Sequence, residues 1–366
     1  MRILLTGGGT AGHAWPIILV AQSLLKNQRV KLLYVGSRQG IEKKLAIKYS
    51  IPFKAILVGK RRAYFSVSNF WDLIKTAIGI LQSFFIIVRF KPDIIFAKGG
   101  YVTIPIIFWL RFLKIPLVIH ESDVVMGRAN LLSMRYASKI CLGFPIEEYK
   151  ENLPLDKILY TGIPIQFDFL QTPIKTGHRL KLLITGGSQG SSKINNLISE
   201  ILPELTKKYE IYHLAGKRDY EKLSEIKDPN YNANSSNCHL FDFTDQMPRL
   251  MRDADLVISR AGASTLAEIS ATAKASIIIP LESAKGEHQE ANAEVYQKRN
   301  AAVILGEKKL TANSLSAIID NLMADEKMRA LLGHHAKSLF CQDATREIVD
   351  AIFEAAYEKQ INVKKN

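Results

Sequence analysis

The chain has 366 residues, of which 47% are hydrophobic and 23% charged, a composition that excludes a disordered chain and predicts two globular domains. Its three cysteines, Cys141, Cys238 and Cys341, are too scattered for a disulfide framework or a zinc module. The net charge of +14 points to anionic partners.

The first predicted element is a strand at residues 2–6 that runs directly into a glycine-rich turn over residues 7–12, so we expect no signal peptide. Glycines permit positive φ angles, and the N-terminus of the following helix attracts anions, which suits phosphate; a plain tight turn is the alternative. The acidic residue of a dinucleotide-binding fold is missing about 20 residues later, and no Lys-Ser or Lys-Thr pair completes a P-loop. A dehydrogenase and a P-loop enzyme are therefore disfavoured.

His13 lies in the first turn of the helix that follows this glycine turn. The positive end of the helix dipole favours the neutral imidazole, which suits a general base that accepts a proton from a hydroxyl. The alternative is a histidine that only caps the helix or packs. Because a second, similar glycine turn occurs downstream, we predict the functional role.

The segment 60–114 carries nine basic and two acidic side chains and so holds half of the net charge of the chain. Aromatic side chains are interspersed with these cations, a combination that suits an anionic membrane surface or nucleic acid. Apolar residues between 74 and 88 at helical spacing equally fit the core face of an amphipathic helix. We expect no membrane-spanning helix, because Arg89 and Arg111 interrupt the apolar stretches.

The opening pattern recurs at residues 180–190, where an apolar strand precedes a second glycine turn. Short apolar strands alternate with amphipathic helices after each opening; the strand candidates are residues 31–35, 93–97, 116–120, 138–142, 211–215, 255–258, 276–279 and 302–305. This alternation predicts an α/β protein of two similar Rossmann-like domains whose parallel sheets face a central cleft. Prolines and glycines place the boundary so that the domains are 1–163 and 164–366, and the last helix, 344–359, can pack on either.

A third cluster follows the predicted strand 255–258. Ser264 and Thr265 at a helix N-terminus suit phosphate, and Glu268 one turn later can accept two ribose hydroxyls. Glu268 and Gln289 can also be ordinary capping or surface residues. The Asp-Ala-Asp triplet at 253–255 resembles a metal signature but leads into a buried strand, so we predict neither a metal nor a cofactor.

Together these motifs resemble the glycosyltransferases of the GT-B fold, and among them the peptidoglycan N-acetylglucosaminyltransferases that act on undecaprenyl-diphospho-muramoylpentapeptide, lipid I. The similarity is carried by residues 7–16, 99–102, 120–121, 186–190, 259–268 and 288–292. It implies transfer of GlcNAc from UDP-GlcNAc to the muramoyl 4-hydroxyl, with inversion and release of UDP. It also implies a peripheral protein on the cytoplasmic face of the cell membrane.

The resemblance assigns roles residue by residue. His13 matches the general base, and Thr10, Ala11 and Gly12 match the first glycine loop. The donor contacts correspond to Ser188, Thr244, Ser264, Thr265, Glu268 and Gln289. The expected partners are UDP-GlcNAc, lipid I and an anionic membrane surface, with no nucleic acid; no residue specifies a protein partner.

Four positions depart from the family pattern. Ala11 replaces a glycine, Ser122 a glutamine, Asp123 an asparagine and Gln166 an arginine, and the last change removes a cation near the diphosphate.

Two other functions remain open. A UDP-GlcNAc 2-epimerase shares the fold and the donor, but it needs acid and base groups around C2 of the sugar and uses no lipid acceptor. A non-catalytic sugar-nucleotide-binding subunit would bind the donor without turnover, and the presence of His13 argues against it.

Overall fold

The computed structural model describes residues 1–59, 67–150, 152–172, 179–187, 190–225, 237–282, 287–308 and 310–365. The chain divides into two compact units, the first comprising residues 1–165 and 341–366 and the second residues 166–340. Each unit has its own parallel sheet with helices packed on it, so the predicted α/β class with two parallel-sheet domains is confirmed.

The first unit is built on a seven-stranded parallel sheet. Its strands are β1 (Arg2–Thr6), β2 (Lys31–Ser37), β3 (Phe53–Ile56), β4 (Ile94–Ala97), β5 (Leu117–Glu121), β6 (Ala137–Leu142) and β7 (Ile158–Tyr160). Its helices are α1 (Ala11–Leu25), α2 (Ile41–Lys48), α3 (Val67–Phe90), α4 (Ile104–Leu110) and α5 (Arg128–Met134), together with the C-terminal helix described below. The strand order is β3-β2-β1-β4-β5-β6-β7.

The second unit has a six-stranded parallel sheet in the order β10-β9-β8-β11-β12-β13. Its strands are β8 (Lys181–Thr185), β9 (Glu210–Leu214), β10 (Cys238–Phe241), β11 (Leu256–Ser259), β12 (Ala275–Ile278) and β13 (Val303–Ile304). Its helices are α6 (Ser192–Lys208), α7 (Lys217–Ser224), α8 (Met247–Asp253), α9 (Ala263–Ala271), α10 (Glu287–Lys298), α11 (Ala312–Ala324) and α12 (Glu326–Ser338).

The C-terminal helix α13 (Ala344–Lys365) packs on the first unit, where it contacts α1 and strands β4 to β6. Ile348 and Ile352 of α13 are fully buried in the same core cluster as Ile3 of β1 and Ile17 of α1. The chain thus returns to the first unit at Cys341, and residues 341–366 belong to that unit and not to the second one, which is formed by residues 166–340.

Both glycine turns follow a strand at which the order of its sheet reverses. β1 lies between β2 and β4, and β8 lies between β9 and β11. The helices that leave such neighbouring strands cross to opposite faces of the sheet, which opens a crevice at the carboxyl ends of the strands. Each unit therefore presents its glycine turn where an open α/β sheet binds ligands.

Helix α3 contains a stretch, Trp71–Phe90, that is long and apolar enough to cross a membrane, contrary to the expectation that Arg89 interrupts it. Hydrogen bonds nevertheless hold this helix against the first unit. The Gln82 side chain accepts from the Leu57 N–H at 2.8 Å, and Trp109 of α4 donates its indole N–H to the Ile80 carbonyl at 2.8 Å. Helix α3 therefore lies along the side of this unit.

The apolar stripe of α3 does not form its core face. Most of the residues that the helical spacing placed on a core face are exposed: Ile78, Leu81, Phe85 and Val88. The Phe85 side chain is 69% exposed. Ser83 and Ile87 are buried instead, and Ser83 donates to the Pro105 carbonyl at 2.9 Å. The amphipathic-core interpretation of this stripe is therefore wrong.

Candidate active site

The first glycine turn needs glycine for both conformation and space. Gly7, Gly8 and Gly9 have φ values of 145°, 139° and 91°. A Cβ on Gly7 would lie 2.7 Å from Cδ1 of Ile17, and one on Gly9 would lie 2.6 Å from the Tyr101 ring. The backbone of β1 can therefore turn sharply into α1 only with these residues.

Thr10 and His13 come together at the start of α1. Thr10 is the N-cap residue, with extended backbone angles, and its Oγ1 lies 2.8 Å from Nδ1 of His13. Thr10 and Gly12 are exposed and His13 is half-buried, so these groups are accessible at the carboxyl end of the sheet. Ala11 is the first residue of α1, where the helical backbone accepts alanine as well as glycine.

A second pair of glycines packs directly on the first turn. Gly99 and Gly100 follow β4 with φ values of 88° and 84°. A Cβ on Gly100 would lie 2.6 Å from the carbonyl oxygen of Gly8, and one on Gly99 would lie 2.8 Å from Oδ1 of Asn130. The turns after β1 and β4 are thus in van der Waals contact with each other.

Glu121 organises the loop after β5. Its Oε1 accepts from the N–H groups of Ser122 and Asp123 at 2.8 and 3.2 Å, and its Oε2 accepts from the Gly127 N–H and the Asn130 amide at 2.9 Å each. Burial raises the pKa of Glu121, and the charge of Lys98 opposes that rise. The carboxylate is therefore internal to the loop that precedes α5.

His120 is fully buried, and its Nε2 lies 2.9 Å from the Gly162 carbonyl oxygen. Burial and the nearby charge of Lys98 hold the pKa of His120 well below its ordinary value. This histidine is therefore neutral and supports the fold of the first unit. His13, by contrast, lies at the accessible end of the sheet.

The second glycine turn begins with Gly186 and Gly187, and Gly187 and Gly190 have positive φ values of 81° and 73°. A Cβ on Gly190 would collide with the Ala215 carbonyl oxygen. Ser191 caps α6, because its hydroxyl accepts from the Ile194 N–H at 3.4 Å. Ser188 lies outside the described residues.

Helix α9, which follows β11, contains three of the residues expected to contact the donor. Ser264 and Thr265 lie in the first turn of α9, and Glu268 follows one turn later on the same side of the helix. All three are partly exposed. Burial raises the pKa of Glu268 to about 8, so its carboxyl group is largely protonated at neutral pH until a partner stabilises the charge.

Arg260 is a site residue for which the sequence alone predicted no role. Its side chain is buried and donates to the carbonyl oxygens of Ile279 and Pro280 at 3.1 Å each. It also donates to the Ser191 hydroxyl at 2.7 Å and forms an ion pair with Glu307 at 2.6 Å. Arg260 thus connects the loops that follow β8, β12 and β13. In the sequence, the only indication of this role is the position of an arginine directly after a buried strand.

Gln289 and Thr244 occupy different parts of the second unit. The Gln289 side chain accepts from the Leu281 N–H at 3.1 Å and so fixes the loop after β12. Asn292, one turn later on α10, is buried and donates to the Ala261 carbonyl at 3.1 Å, which ties α10 to the turn before α9. Thr244 follows the edge strand β10, and its hydroxyl accepts from the Gln246 N–H at 3.0 Å.

The Asp-Ala-Asp triplet is part of the fold. Asp255 accepts from the Lys181 N–H at 2.8 Å, and the buried Asp253 forms an ion pair with Arg249 at 3.7 Å. Over the described ranges, no group of three or more His, Cys, Asp or Glu side chains is arranged to hold a metal ion.

Two parallel-sheet units, each with a glycine turn at its switch point, are the architecture of GT-B glycosyltransferases, and known proteins match it. The family model described as the glycosyltransferase family 28 N-terminal domain matches residues 3–142, and that of the C-terminal domain matches residues 181–348. The chain belongs to glycosyltransferase family 28, and it is a hexosyltransferase, as the motifs predicted.

Two of its curated relatives are named UDP-N-acetylglucosamine–N-acetylmuramyl-(pentapeptide) pyrophosphoryl-undecaprenol N-acetylglucosamine transferase. The form numbered 2 in Bacillus cereus is 35% identical over 97% of this chain and 99% of its own length. The Clostridium kluyveri enzyme is 36% identical over 96% of this chain and 98% of its own length. These relatives confirm the predicted N-acetylglucosaminyltransferase family.

Solved structures agree with this assignment. The crystal structure of Acinetobacter baumannii MurG has a TM-score of 0.75 at 25% identity, covering 96% of this chain and 99% of that one. A UDP-GlcNAc 2-epimerase from Neisseria meningitidis has a TM-score of 0.69 at 16% identity, covering 97% of this chain and 100% of that one. The epimerase shares the fold alone, so the comparisons favour the transferase.

Proposed function

We propose that this protein transfers GlcNAc from UDP-GlcNAc to the muramoyl 4-hydroxyl of lipid I, with inversion at the anomeric carbon and release of UDP. The observation that carries the proposal is the near full-length relationship, at about 35% identity, to transferases named for this acceptor. The first unit supplies the base and the acceptor contacts, and the second unit binds the donor.

The reaction is a direct displacement. The acceptor oxygen attacks C1 of the donor sugar, the bond from C1 to the diphosphate oxygen breaks, and the acceptor proton passes to His13. Negative charge then develops on the departing UDP. The N-termini of α6 and α9 present backbone N–H groups and the positive ends of their dipoles, which stabilise such a charge.

The donor contacts come from the second unit. Ser264 and Thr265 bind the diphosphate, and Glu268 binds the ribose hydroxyls; its carboxylate becomes ionised when these hydroxyls donate to it. Gln289 binds the donor sugar, Thr244 the uracil and Ser188 the diphosphate. Thr10, Ala11 and Gly12, in the first glycine loop beside His13, bind substrate.

The outer face of α3 and α4 is the proposed membrane-binding surface, on the cytoplasmic face of the cell membrane. It exposes Trp71, Leu73, Leu81, Phe85, Phe108 and Phe112. Arg89, near the end of α3, and Arg111, directly after α4, are also exposed, with the Arg111 guanidinium over the ring of Phe112 at 5.2 Å. Apolar side chains that insert among headgroups, together with cations worth about 1 kcal/mol each near an anionic surface, suit an enzyme whose acceptor is a lipid.

Acceptor-dependent UDP release tests the proposed function. Purified protein is incubated with UDP-GlcNAc, with and without a lipid I analogue, and the molecular mass of the lipid product is determined by mass spectrometry. We expect UDP release only with the acceptor, and a product heavier by one N-acetylhexosamine. Release without acceptor, accompanied by free ManNAc, would instead establish the epimerase.

A further inference from the structure

A buried carboxylate lies beneath the first glycine turn. Glu42 is the second residue of α2, and its side chain is fully buried. Its Oε2 accepts from the Gly9 N–H at 3.2 Å, while its Oε1 accepts from the N–H and the hydroxyl of Ser37 at 3.0 and 2.5 Å. One side chain therefore links the carboxyl ends of β1 and β2.

Tyr101 extends this link to the loop after β4. The Ser37 side chain forms a hydrogen bond with the Tyr101 hydroxyl, and burial together with the Glu42 charge raises the pKa of Tyr101. The Tyr101 ring lies against Gly9, where a Cβ would be 2.6 Å from it, and a Cβ on Gly8 would be 2.6 Å from Cδ of Glu42. The glycine turn is thus enclosed between a carboxylate and a phenol ring.

The Glu42 carboxylate determines what the Gly9 N–H can bind. A buried carboxylate is tolerated only when donors satisfy it, and its charge-assisted bonds are roughly twice as strong as neutral ones. The Gly9 N–H is engaged by the protein's own anion, so this amide is not the one that binds a ligand's phosphate. In the second unit, a buried cation, Arg260, donates to Ser191 beside the glycine turn.

We infer that Glu42 is a positioning residue for transfer: it fixes the Gly9 backbone, and with it Thr10 and His13, while donor binding by the second unit does not depend on it. The inference rests on the proposed function, because it places the base of that reaction. A base displaced by about 1 Å can lower the rate about 100-fold. The loss of Glu42 should therefore lower kcat and leave KM for the donor unchanged.

The decisive variant is Glu42→Gln, which keeps the shape of the side chain. A glutamine has one acceptor oxygen, and Ser37 offers two donors to it, so we expect that oxygen to face Ser37 and the NH2 group to face Gly9, whose link then breaks. We expect kcat to fall about 10-fold or more, with KM for UDP-GlcNAc within about 2-fold of the wild type. Ser37→Ala keeps the Gly9 link, folds with little perturbation and should cost less than Glu42→Gln.

Lys44→Gln is the matched control, because Lys44 is exposed on the same helix and its loss also changes the net charge by one unit. It should leave kcat unchanged. Amide hydrogen exchange at Gly9, followed by NMR, reports on the loop without requiring turnover. We expect faster exchange in Glu42→Gln and no change in Lys44→Gln.

The outcomes separate the two proposals. Wild-type exchange at Gly9 and wild-type kcat in Glu42→Gln would overturn the positioning role, as would a fall in donor affinity parallel to the fall in kcat. A wild-type protein that does not glycosylate lipid I would overturn the proposed function instead. In that case, the exchange measurement still decides whether Glu42 fixes the glycine turn.

Discussion

The hydroxyl of Thr10 lies 2.8 Å from Nδ1 of His13, within the first turn of α1. A hydroxyl can donate or accept, so the tautomer of His13 decides the direction of this bond. If Nδ1 carries the proton and donates to Thr10, Nε2 has a lone pair that can accept the proton of the acceptor hydroxyl. The base role of His13 therefore requires Thr10 to accept.

This relationship predicts a large effect on turnover. His13→Ala should lower kcat by about 100-fold or more and leave UDP-GlcNAc affinity unchanged, because it removes only the proton acceptor. Thr10→Val keeps the shape of the side chain but loses the tautomer lock, so its kcat should fall by a smaller factor. Calorimetry gives donor affinity and acceptor-dependent UDP release gives kcat. His334→Ala, at an exposed histidine of α12, is the control; unchanged turnover in His13→Ala would remove His13 from the base role.

Glu268 predicts a pH-dependent difference in stability. Its pKa in the folded protein is raised from 4.5 to about 8 by burial, so its contribution to stability is lost as pH rises through that range. Glu268→Gln removes this loss, and its melting temperature should rise relative to wild type between about pH 5 and pH 9. Thermal unfolding at several pH values tests this, with the exposed Glu294→Gln as control. If the melting temperatures of Glu268→Gln and wild type changed with pH in parallel, this prediction would be contradicted.

The same substitution should weaken donor binding. A glutamine keeps one acceptor oxygen but loses the charge, and hydrogen bonds to charged groups are worth about 1.5–3 kcal/mol. We expect UDP-GlcNAc affinity to fall about 10-fold at pH 8, measured by calorimetry. An affinity equal to that of wild type would place the ribose elsewhere than on Glu268.

Arg260 predicts a loss of stability. Arg260→Met leaves Glu307 as a partly buried carboxylate without its cation and frees the loops after β8 and β12. Breaking such a buried pair costs about 3–5 kcal/mol, whereas a second substitution, Glu307→Gln, should recover part of it. Chemical denaturation of both single variants and the double variant measures this coupling. Strict additivity would show that the pair is not coupled.

The surface of α3 and α4 predicts lipid-dependent binding. Arg89→Glu together with Arg111→Glu should release the protein from anionic vesicles in a flotation assay, since each cation contributes about 1 kcal/mol. Phe85→Ser should weaken binding by removing an inserted ring. Lys327→Glu, an exposed change on α12, should have no effect. Activity on a water-soluble acceptor should be retained, and unchanged flotation would make this face an ordinary surface.

Much of the fold could be predicted from local pattern. The strand candidates 31–35 and 211–215 coincide with most of β2 and β9, since buried parallel strands are short apolar runs between helices. The two glycine turns were recognisable because close approach and positive φ leave few other residues possible. The outward orientation of α3 was not predictable, because an apolar helical stripe has the same spacing on a core and on an exposed surface.

The amino-acid sequence by itself determined the two-unit α/β class, the glycine turns, the position of His13 at the start of a helix and the transferase family. Only the tertiary structure decided which buried charges hold those turns. Glu42 and Gly9 are 33 residues apart, and Arg260 and Ser191 are 69 apart. Hydrophobic periodicity encodes which side of an element is buried, but a hydrogen bond between distant side chains exists only once packing has brought the strand ends together.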